Sequence, residues 1–262
     1  MSAELQCQSE GPLYWLTLNR PARRNALTPG LARELADVVD GVEELPGVRA
    51  VVLRGAGGHF CAGLDLHWIQ SLGTMPTVAE LQHGLSDFQS AVLATVRCPV
   101  PVIAAVEGTV AGFGLDLALA CDLRVAGTSA AFTSAYARMG LVPDGGSTFT
   151  LPRLVGVGRA LRLLLAGETL TASRAAAIGL VDEIVDDGGL EAGVRRLTQA
   201  LLASSGPSVR AIKRLVRSAE VGALEQALST EGAAQVQALQ GAEFRSRLQS
   251  FSTRSSGPAE PA

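Results

Sequence analysis

Short apolar runs alternate with segments of helical spacing along the first half of the chain. Runs of strand length lie at residues 14–18, 50–54, 100–106, 123–126 and 131–132. Residues 29–44 carry Leu31, Leu35 and Val39 at helical spacing, and a further helix is predicted from Gly114 to Ala120. This alternation of strands and helices predicts an α/β fold.

Helical patterns dominate after Pro152. Helices are predicted at residues 157–166, 173–178, 190–204, 209–216 and 223–240, with one strand at 180–185. The sequence Ser205-Gly206-Pro207 breaks the chain between the third and fourth of these helices. We therefore expect a core domain over residues 1–204, a C-terminal helical module over 205–251 and a disordered tail over 252–262.

Composition and charge exclude several classes of function. The chain has 262 residues, of which 47% are hydrophobic, so it can bury one large core. A net charge of −3 provides no basic surface for nucleic acid or anionic membranes. Neither a signal peptide nor an apolar run of ~20 residues is present, so a soluble, cytoplasmic protein is expected. The histidines and the four cysteines lack metal-ligand spacing, so no metal is expected.

Two glycine-containing turns carry the candidate chemistry. Phe60-Cys61-Ala62-Gly63-Leu64-Asp65-Leu66 follows one apolar run, and Gly112-Phe113-Gly114-Leu115-Asp116 follows another. Such turns can direct backbone N–H groups at a substrate oxygen, and two of them can form a two-donor oxyanion hole. The glycines of a single turn are equally compatible with a tight bend alone.

These turns belong to a longer pattern. Leu16-Thr17-Leu18-Asn19-Arg20-Pro21 precedes them, and Gly140-Leu141-Val142-Pro143-Asp144-Gly145-Gly146 follows them. Together they resemble the enoyl-CoA hydratase/isomerase (crotonase) superfamily, and the last segment resembles its isomerase branch, which includes the epoxyphenylacetyl-CoA isomerases. The resemblance implies a crotonase spiral of repeated ββα units with a C-terminal helical module. It also implies an acyl-CoA thioester as substrate, no permanently bound cofactor, and a homotrimer or a dimer of trimers.

The resemblance assigns roles to single residues as well. The backbone N–H groups of Leu64 and Phe113 match the family's oxyanion hole, which the dipole of the following helix would reinforce. Asp116 and Tyr136 occupy the positions of the two glutamates of the family's hydratases. Asp116 can alternatively serve only to complement the helix dipole, and Tyr136 can be simply a wall of the pocket.

Asp144 lies where several isomerases of the family place their acid. One carboxylate suffices to move a proton between the carbons that flank a dienolate. An alternative role, compatible with the first, is to cap the helix that follows Gly145 and Gly146.

The CoA part of the substrate is expected near the first motif and the two turns. Arg23 and Arg24 can pair with phosphates, although surface solvation is an equally good explanation for both. Lys213, in the C-terminal module, is a further candidate from the same or a neighbouring subunit. The other candidates for substrate binding lie in or beside the turns: Ala62, Gly63, Asp65, Leu66, His67, Gly112 and Gly114.

The favoured function is isomerisation of an enoyl-CoA double bond through an enolate, with Asp144 as proton shuttle and Asp116 as auxiliary acid. Hydration of a 2-enoyl-CoA by the pair Asp116 and Asp144 is the alternative. A third hypothesis is a non-catalytic crotonase-fold subunit that binds acyl-CoA or acts as a scaffold. The sequence does not specify the acyl group or the pathway, fatty-acid β-oxidation included.

Overall fold

The computed structural model describes residues 2–255. The strands of this part of the chain are β1 (Leu5–Glu10), β2 (Leu13–Leu18), β3 (Ala50–Gly55), β4 (Val102–Val106), β5 (Thr109–Ala111), β6 (Leu123–Gly127), β7 (Ala131–Thr133), β8 (Thr169–Thr171) and β9 (Glu183–Val185). Its α-helices are α1 (Pro29–Asp40), α2 (Leu66–Ser71), α3 (Val78–Arg97), α4 (Phe113–Ala120), α5 (Ser147–Val155), α6 (Val157–Ala166), α7 (Ala172–Ala177), α8 (Leu190–Ala203), α9 (Gly206–Ser218), α10 (Val221–Leu239) and α11 (Ala242–Ser255).

Two sheets organise the core. The larger has the strand order β1-β2-β3-β4-β6-β9 and is parallel except for the antiparallel pair β1–β2. The smaller has the order β5-β7-β8, with β5–β7 parallel and β7–β8 antiparallel. Strand β4 is buried along its whole length, as its continuous apolar sequence requires for a central parallel strand. The predicted α/β alternation is confirmed.

Local signals explain where several helices begin. Thr28 accepts a hydrogen bond from the Leu31 N–H at the start of α1. Thr77 and Glu80 form a capping box at the start of α3. Helix α9 begins at Gly206, earlier than predicted, because Pro207 is well tolerated in the first turn of a helix.

The sequence pattern missed or misplaced other elements. Helices α2 and α3 lie where no element is predicted, although Leu81, Leu85 and Phe88 have helical spacing and are buried. The predicted helix over residues 29–44 ends at Asp40 and continues as a 3₁₀ turn. The tail expected at 252–262 is wrong for residues 252–255, since α11 runs through Ser255; residues 256–262 lie outside the described part.

Helix α10 packs against two apolar clusters. Its Leu224 and Leu228 are buried in the main core, whereas Val236 and Leu239 belong to a second apolar cluster with side chains of α3 and α11. The helix therefore passes along the boundary between the core and that cluster, and its side chains are available to both.

Exposed apolar side chains are concentrated on two helices: Val157, Leu161 and Leu165 on α6, and Ile212, Leu215 and Val216 on α9. The trimeric assembly stays a prediction. None of the described helices combines the length and the apolar character needed to cross a membrane.

Candidate active site

A cavity of about 660 Å³ lies between the two glycine turns, α2, α3 and α10. Most of its wall is apolar and includes Leu66, Ile69, Leu81, Leu85, Phe88 and Leu239. Tyr136, Asp144 and Gln235 form a polar group in the same wall. A mostly apolar cavity with a few convergent polar groups is typical of a small-molecule site.

The two glycine turns are held against each other by the backbone. The Cys61 N–H donates to the Thr109 carbonyl, and the Ala111 N–H donates to the Cys61 carbonyl, both at 3.0 Å. Glycine is needed on both sides of this contact. A Cβ on Gly114 would lie 2.2 Å from the Cys61 carbonyl oxygen, and one on Gly63 would lie 2.7 Å from that of Ala111.

The backbone N–H groups of Leu64 and Phe113 have no hydrogen-bond acceptor among the described residues. Phe113 is the first residue of α4, whose leading N–H groups lack partners within the helix. The two amides are neighbours, because a Cβ placed on Gly63, next to Leu64, would be 3.1 Å from the Phe113 nitrogen. Leu64, Gly112 and Phe113 all line the cavity, so both turns border the space that a ligand would occupy.

Residues 20–27 hold the Leu64 turn in place through backbone and side-chain contacts. The Leu27 N–H donates to the Gly63 carbonyl, and the Asp65 N–H donates to the Leu27 carbonyl. Arg20 forms a 2.8 Å ion pair with the buried Asp65. Asn25 adopts a left-handed backbone (φ +56°), and its buried side-chain amide donates to the carbonyls of Ala56 and His59.

The structure brings Asp116, Tyr136 and Asp144 into direct contact. The Tyr136 hydroxyl lies 2.7 Å from Asp116 Oδ2 and 2.8 Å from Asp144 Oδ1. Asp144 is 8% exposed and lines the cavity, whereas Asp116 is 1% exposed and lies outside the wall. The side chain of Asp116 is covered by Gly145, where a Cβ would lie 2.6 Å from that of Asp116.

A phenol has only one proton to donate, so two short contacts to carboxyl oxygens require one carboxyl to be protonated. The contacts of Asp116 identify it as the neutral group. Its Oδ2 takes two hydrogen bonds, from the Gly145 N–H at 3.0 Å and with Tyr136, while its buried Oδ1 has no hydrogen bond of normal geometry and the carboxyl has only a further interaction with Ser147. An unpartnered charged oxygen at such a depth would be costly, whereas a neutral carbonyl oxygen costs far less.

Burial is the main cause of the pKa shifts in this group. It raises the pKa of Asp116 far above the usual value, and the nearby charges of Glu231 and Asp144 raise it further. Burial also raises the pKa of Asp144 to about 6, against the opposing effect of hydrogen bonds from Tyr136 and Gln235. The pKa of Tyr136 is raised by burial and by the two carboxyls. These shifts favour the protonated form of Asp116 and of the phenol, and they make Asp144, with a pKa of about 6, the group expected to be ionised at neutral pH.

Sequence analysis missed two residues of α10 that complete the site. Gln235 Nε2 donates to Asp144 Oδ2 at 3.0 Å, and Glu231 accepts from the Gly146 and Thr148 N–H groups at 2.7 and 2.9 Å. Their signal is visible, since both interrupt the apolar face formed by Leu224, Leu228 and Leu239. Helix α5 begins at Ser147 without a cap from Asp144, so the capping role suggested for Asp144 is wrong.

Of the other residues predicted to bind substrate, some line the cavity and others do not. Ala62 and Leu66 line the cavity, while Asp65 caps α2 and His67 packs its ring against Phe251. Arg23 and Arg24 are exposed and lie outside the cavity wall.

Lys213 is also outside the wall. Its side chain forms an ion pair of 2.6 Å with Asp122 and donates to the Val100 carbonyl. Its assignment to CoA therefore has no support in the structure. Among residues 2–255, no three His, Cys, Asp or Glu side chains are grouped so that they could hold a metal ion.

The sequence model of the enoyl-CoA hydratase/isomerase family matches residues 9–257. The chain belongs to this family. It is 36% identical to the 1,2-epoxyphenylacetyl-CoA isomerase of Escherichia coli over 239 residues, which cover 90% of both chains. It is 37% identical to the enoyl-CoA hydratase EchA19 of Mycobacterium tuberculosis over 213 residues, 81% of this chain and 80% of the relative.

A crystal structure of an enoyl-CoA hydratase from Mycobacterium avium subsp. paratuberculosis superposes on the chain with a TM-score of 0.86 at 29% identity. The match covers 95% of this chain and 99% of that one. The expected crotonase fold is confirmed, and the protein is an enzyme of the hydratase/isomerase family.

Replacing Gly63 with Ala tests whether the contact between the turns matters for this enzyme. The new Cβ would lie 2.7 Å from the Ala111 carbonyl and 3.1 Å from the Phe113 nitrogen, so the two free amides must separate. We expect kcat to fall by about 10²–10³-fold, the effect of losing one such donor. Gly47→Ala is the matched control, because Gly47 has a similar φ of +80° but no neighbour within 4 Å. Equal activities of the two variants would contradict the prediction.

Infrared spectroscopy can test the neutral state of Asp116. At neutral pH the wild-type protein should show a carboxylic-acid C=O band that Asp116→Asn removes, because burial keeps this carboxyl protonated. Asp37→Asn is the control, since Asp37 is exposed and paired with Arg33. If Asp116→Asn instead removes only carboxylate bands, Asp116 is ionised and is not the protonated carboxyl of the group.

Proposed function

We propose that this enzyme isomerises an enoyl-CoA, moving the double bond from the 3,4 to the 2,3 position. The observation that carries the proposal is the unequal placement of the two buried carboxyls. Asp144 lines the cavity, whereas Asp116 is screened from it by Tyr136 and Gly145. One accessible carboxylate is sufficient for a proton shift, but hydration by the usual pair requires two.

The proposed chemistry begins when a thioester carbonyl oxygen accepts hydrogen bonds from the Leu64 and Phe113 N–H groups. Ionised Asp144 removes a proton from C2, the C2–H electron pair forms the dienolate, and the negative charge moves to the thioester oxygen. Each preorganised backbone donor is worth about 2.7–4 kcal/mol at such an oxygen. Asp144 then returns the proton to C4, the conjugated 2-enoyl thioester forms, and no atom is gained or lost.

The environment of Asp144 suits a shuttle that must first accept a proton and then return it. A carboxyl with a pKa of about 6 is a stronger base than an ordinary aspartate, yet it is ionised at neutral pH. Among relatives, one is named an isomerase and another a hydratase, so names alone do not decide between the two reactions. The apolar wall formed by α2 and α3 fits an apolar acyl chain.

The two isosteric variants Asp144→Asn and Asp116→Asn provide the principal test. Asp144→Asn should lower the rate of 3-enoyl-CoA isomerisation by about 10²–10⁴-fold, the usual contribution of a general base. Asp116→Asn should cost much less, because Asn resembles the neutral acid that it replaces. Both rates can be followed by chromatographic separation of the acyl-CoA esters. A large loss for Asp116→Asn with little loss for Asp144→Asn would overturn the assignment.

The pH dependence provides a second test. Only the ionised form of Asp144 can accept the C2 proton, so kcat/KM should fall as the pH is lowered through about 6. The free-enzyme limb is measured at subsaturating 3-enoyl-CoA, with protein folding monitored at each pH. An acid limb near pH 4, the range of an unperturbed aspartate, would show that burial does not tune this group.

A further inference from the structure

Two side chains of helix α10 hold the segment that carries Asp144. Gln235 Oε1 accepts from the Val142 N–H at 3.1 Å, and Gln235 Nε2 donates to Asp144 Oδ2 at 3.0 Å. Four residues earlier on α10, Glu231 accepts from the Gly146 and Thr148 N–H groups. Gln235 and Glu231 are 1% and 6% exposed, so water does not compete for these hydrogen bonds.

The amide of Gln235 satisfies both the backbone before Asp144 and the carboxylate itself. Asp144 Oδ1 is occupied by Tyr136 and Oδ2 by Gln235, so both oxygens have a fixed direction. A leucine at position 235 would fit the apolar wall nearby, which contains Leu141 and Leu239, but it would provide neither hydrogen bond. The polar side chain is thus retained at a position where an apolar one would be expected from packing alone.

We propose that Gln235 is a positioning residue, which orients the Asp144 carboxylate toward the cavity and favours its ionised form. Glu231 opposes it electrostatically while fixing the backbone that follows Asp144. The relevance of this pair to turnover rests on the proposed function of Asp144, but its effect on the carboxyl group does not.

Every charged or titratable group that faces Asp144 has a definite direction of influence. Tyr136, ahead of α5, and Gln235, on α10, lower the pKa of Asp144 through hydrogen bonds, and Glu231 raises it through its charge. Asp116, on α4, shares the Tyr136 hydroxyl with Asp144 and is also coupled to it by charge, which raises the pKa of Asp116. Replacing Gln235 and replacing Glu231 should therefore move the titration of Asp144 in opposite directions.

The experiment measures the titration of Asp144 directly, by NMR of the full-length protein with ¹³C-labelled aspartate carboxyls, assigned with Asp144→Asn. In Gln235→Leu the midpoint should move to higher pH by about one unit, since a hydrogen bond to a charged group is lost. In Glu231→Gln it should move to lower pH. Gln237→Leu and Glu225→Gln, exposed changes of the same type on the same helix, should leave it unchanged.

Kinetics with 3-enoyl-CoA provide the second measurement. Gln235→Leu should lower kcat by up to about 100-fold with little change in KM, and the acid limb should move with the NMR midpoint. Gln235→Glu keeps the size and the acceptor for Val142 but loses the donor, so it should also raise the midpoint. It replaces Gln235→Leu as the test if that variant fails to fold. An unchanged midpoint in both Gln235 variants would overturn the positioning role. Shifted midpoints in a protein whose turnover does not depend on Asp144 would instead disprove the proposed function and leave the positioning role intact.

Discussion

Tyr136 has one proton to share between two buried carboxyl groups, and the rest of the site is arranged around this limit. Two ionised aspartates cannot both be satisfied by one phenol in a space closed by Gly145 and Phe113. Burial favours the neutral form of the deeper group, Asp116, so Asp144, which reaches the cavity, is the group expected to carry the charge. Burial is the main cause of the raised pKa of Asp116. Hydrogen bonds from Tyr136 and Gln235 lower the pKa of Asp144 and so favour its ionised form.

The backbone provides what these side chains cannot. The proposed reaction needs hydrogen-bond donors that do not move as the oxyanion develops, and the turns that carry the Leu64 and Phe113 amides are fixed by their mutual backbone contact. That contact tolerates no side chain at Gly63 or Gly114, so the glycines have more than a conformational purpose. The acid and the donors are thus held by different parts of the fold, the donors by the sheet-linked turns and the acid by α10.

The parts of the site that are local in sequence could be predicted. The glycine turns, Asp116, Tyr136 and Asp144 lie in short motifs with fixed spacing, so a family resemblance can single them out, and the three side chains meet in the structure. Gln235 and Glu231 could not be found in this way, because they act across about 90 residues of chain and their only signal is polarity within an apolar helical face. The screening of Asp116 also depends on tertiary structure, since Gly145 covers it from a distant segment.

Contacts between distant segments also explain why helix α3 and the partners of Lys213 are not predicted from the sequence. The long α3 has a readable period, but polar residues such as Asp87 and Thr95 lie on its buried face and weaken the contrast between apolar and polar positions. Lys213 is a candidate for CoA binding in the sequence because it is a cation in the C-terminal module. In the fold its charge is neutralised by Asp122, whose other oxygen binds Arg217. A side chain's partners could not be read from its own neighbourhood in the sequence.

The most direct measurement is the ultraviolet absorbance of the conjugated enoyl thioester after the wild-type enzyme is mixed separately with a 3-enoyl-CoA and its 2-enoyl isomer. Isomerisation through Asp144 predicts that the band grows from the 3-enoyl substrate and persists with the 2-enoyl substrate. Loss of the band from the 2-enoyl substrate, with no change in the 3-enoyl sample, would mean that water is added and would contradict the role given to the screened Asp116.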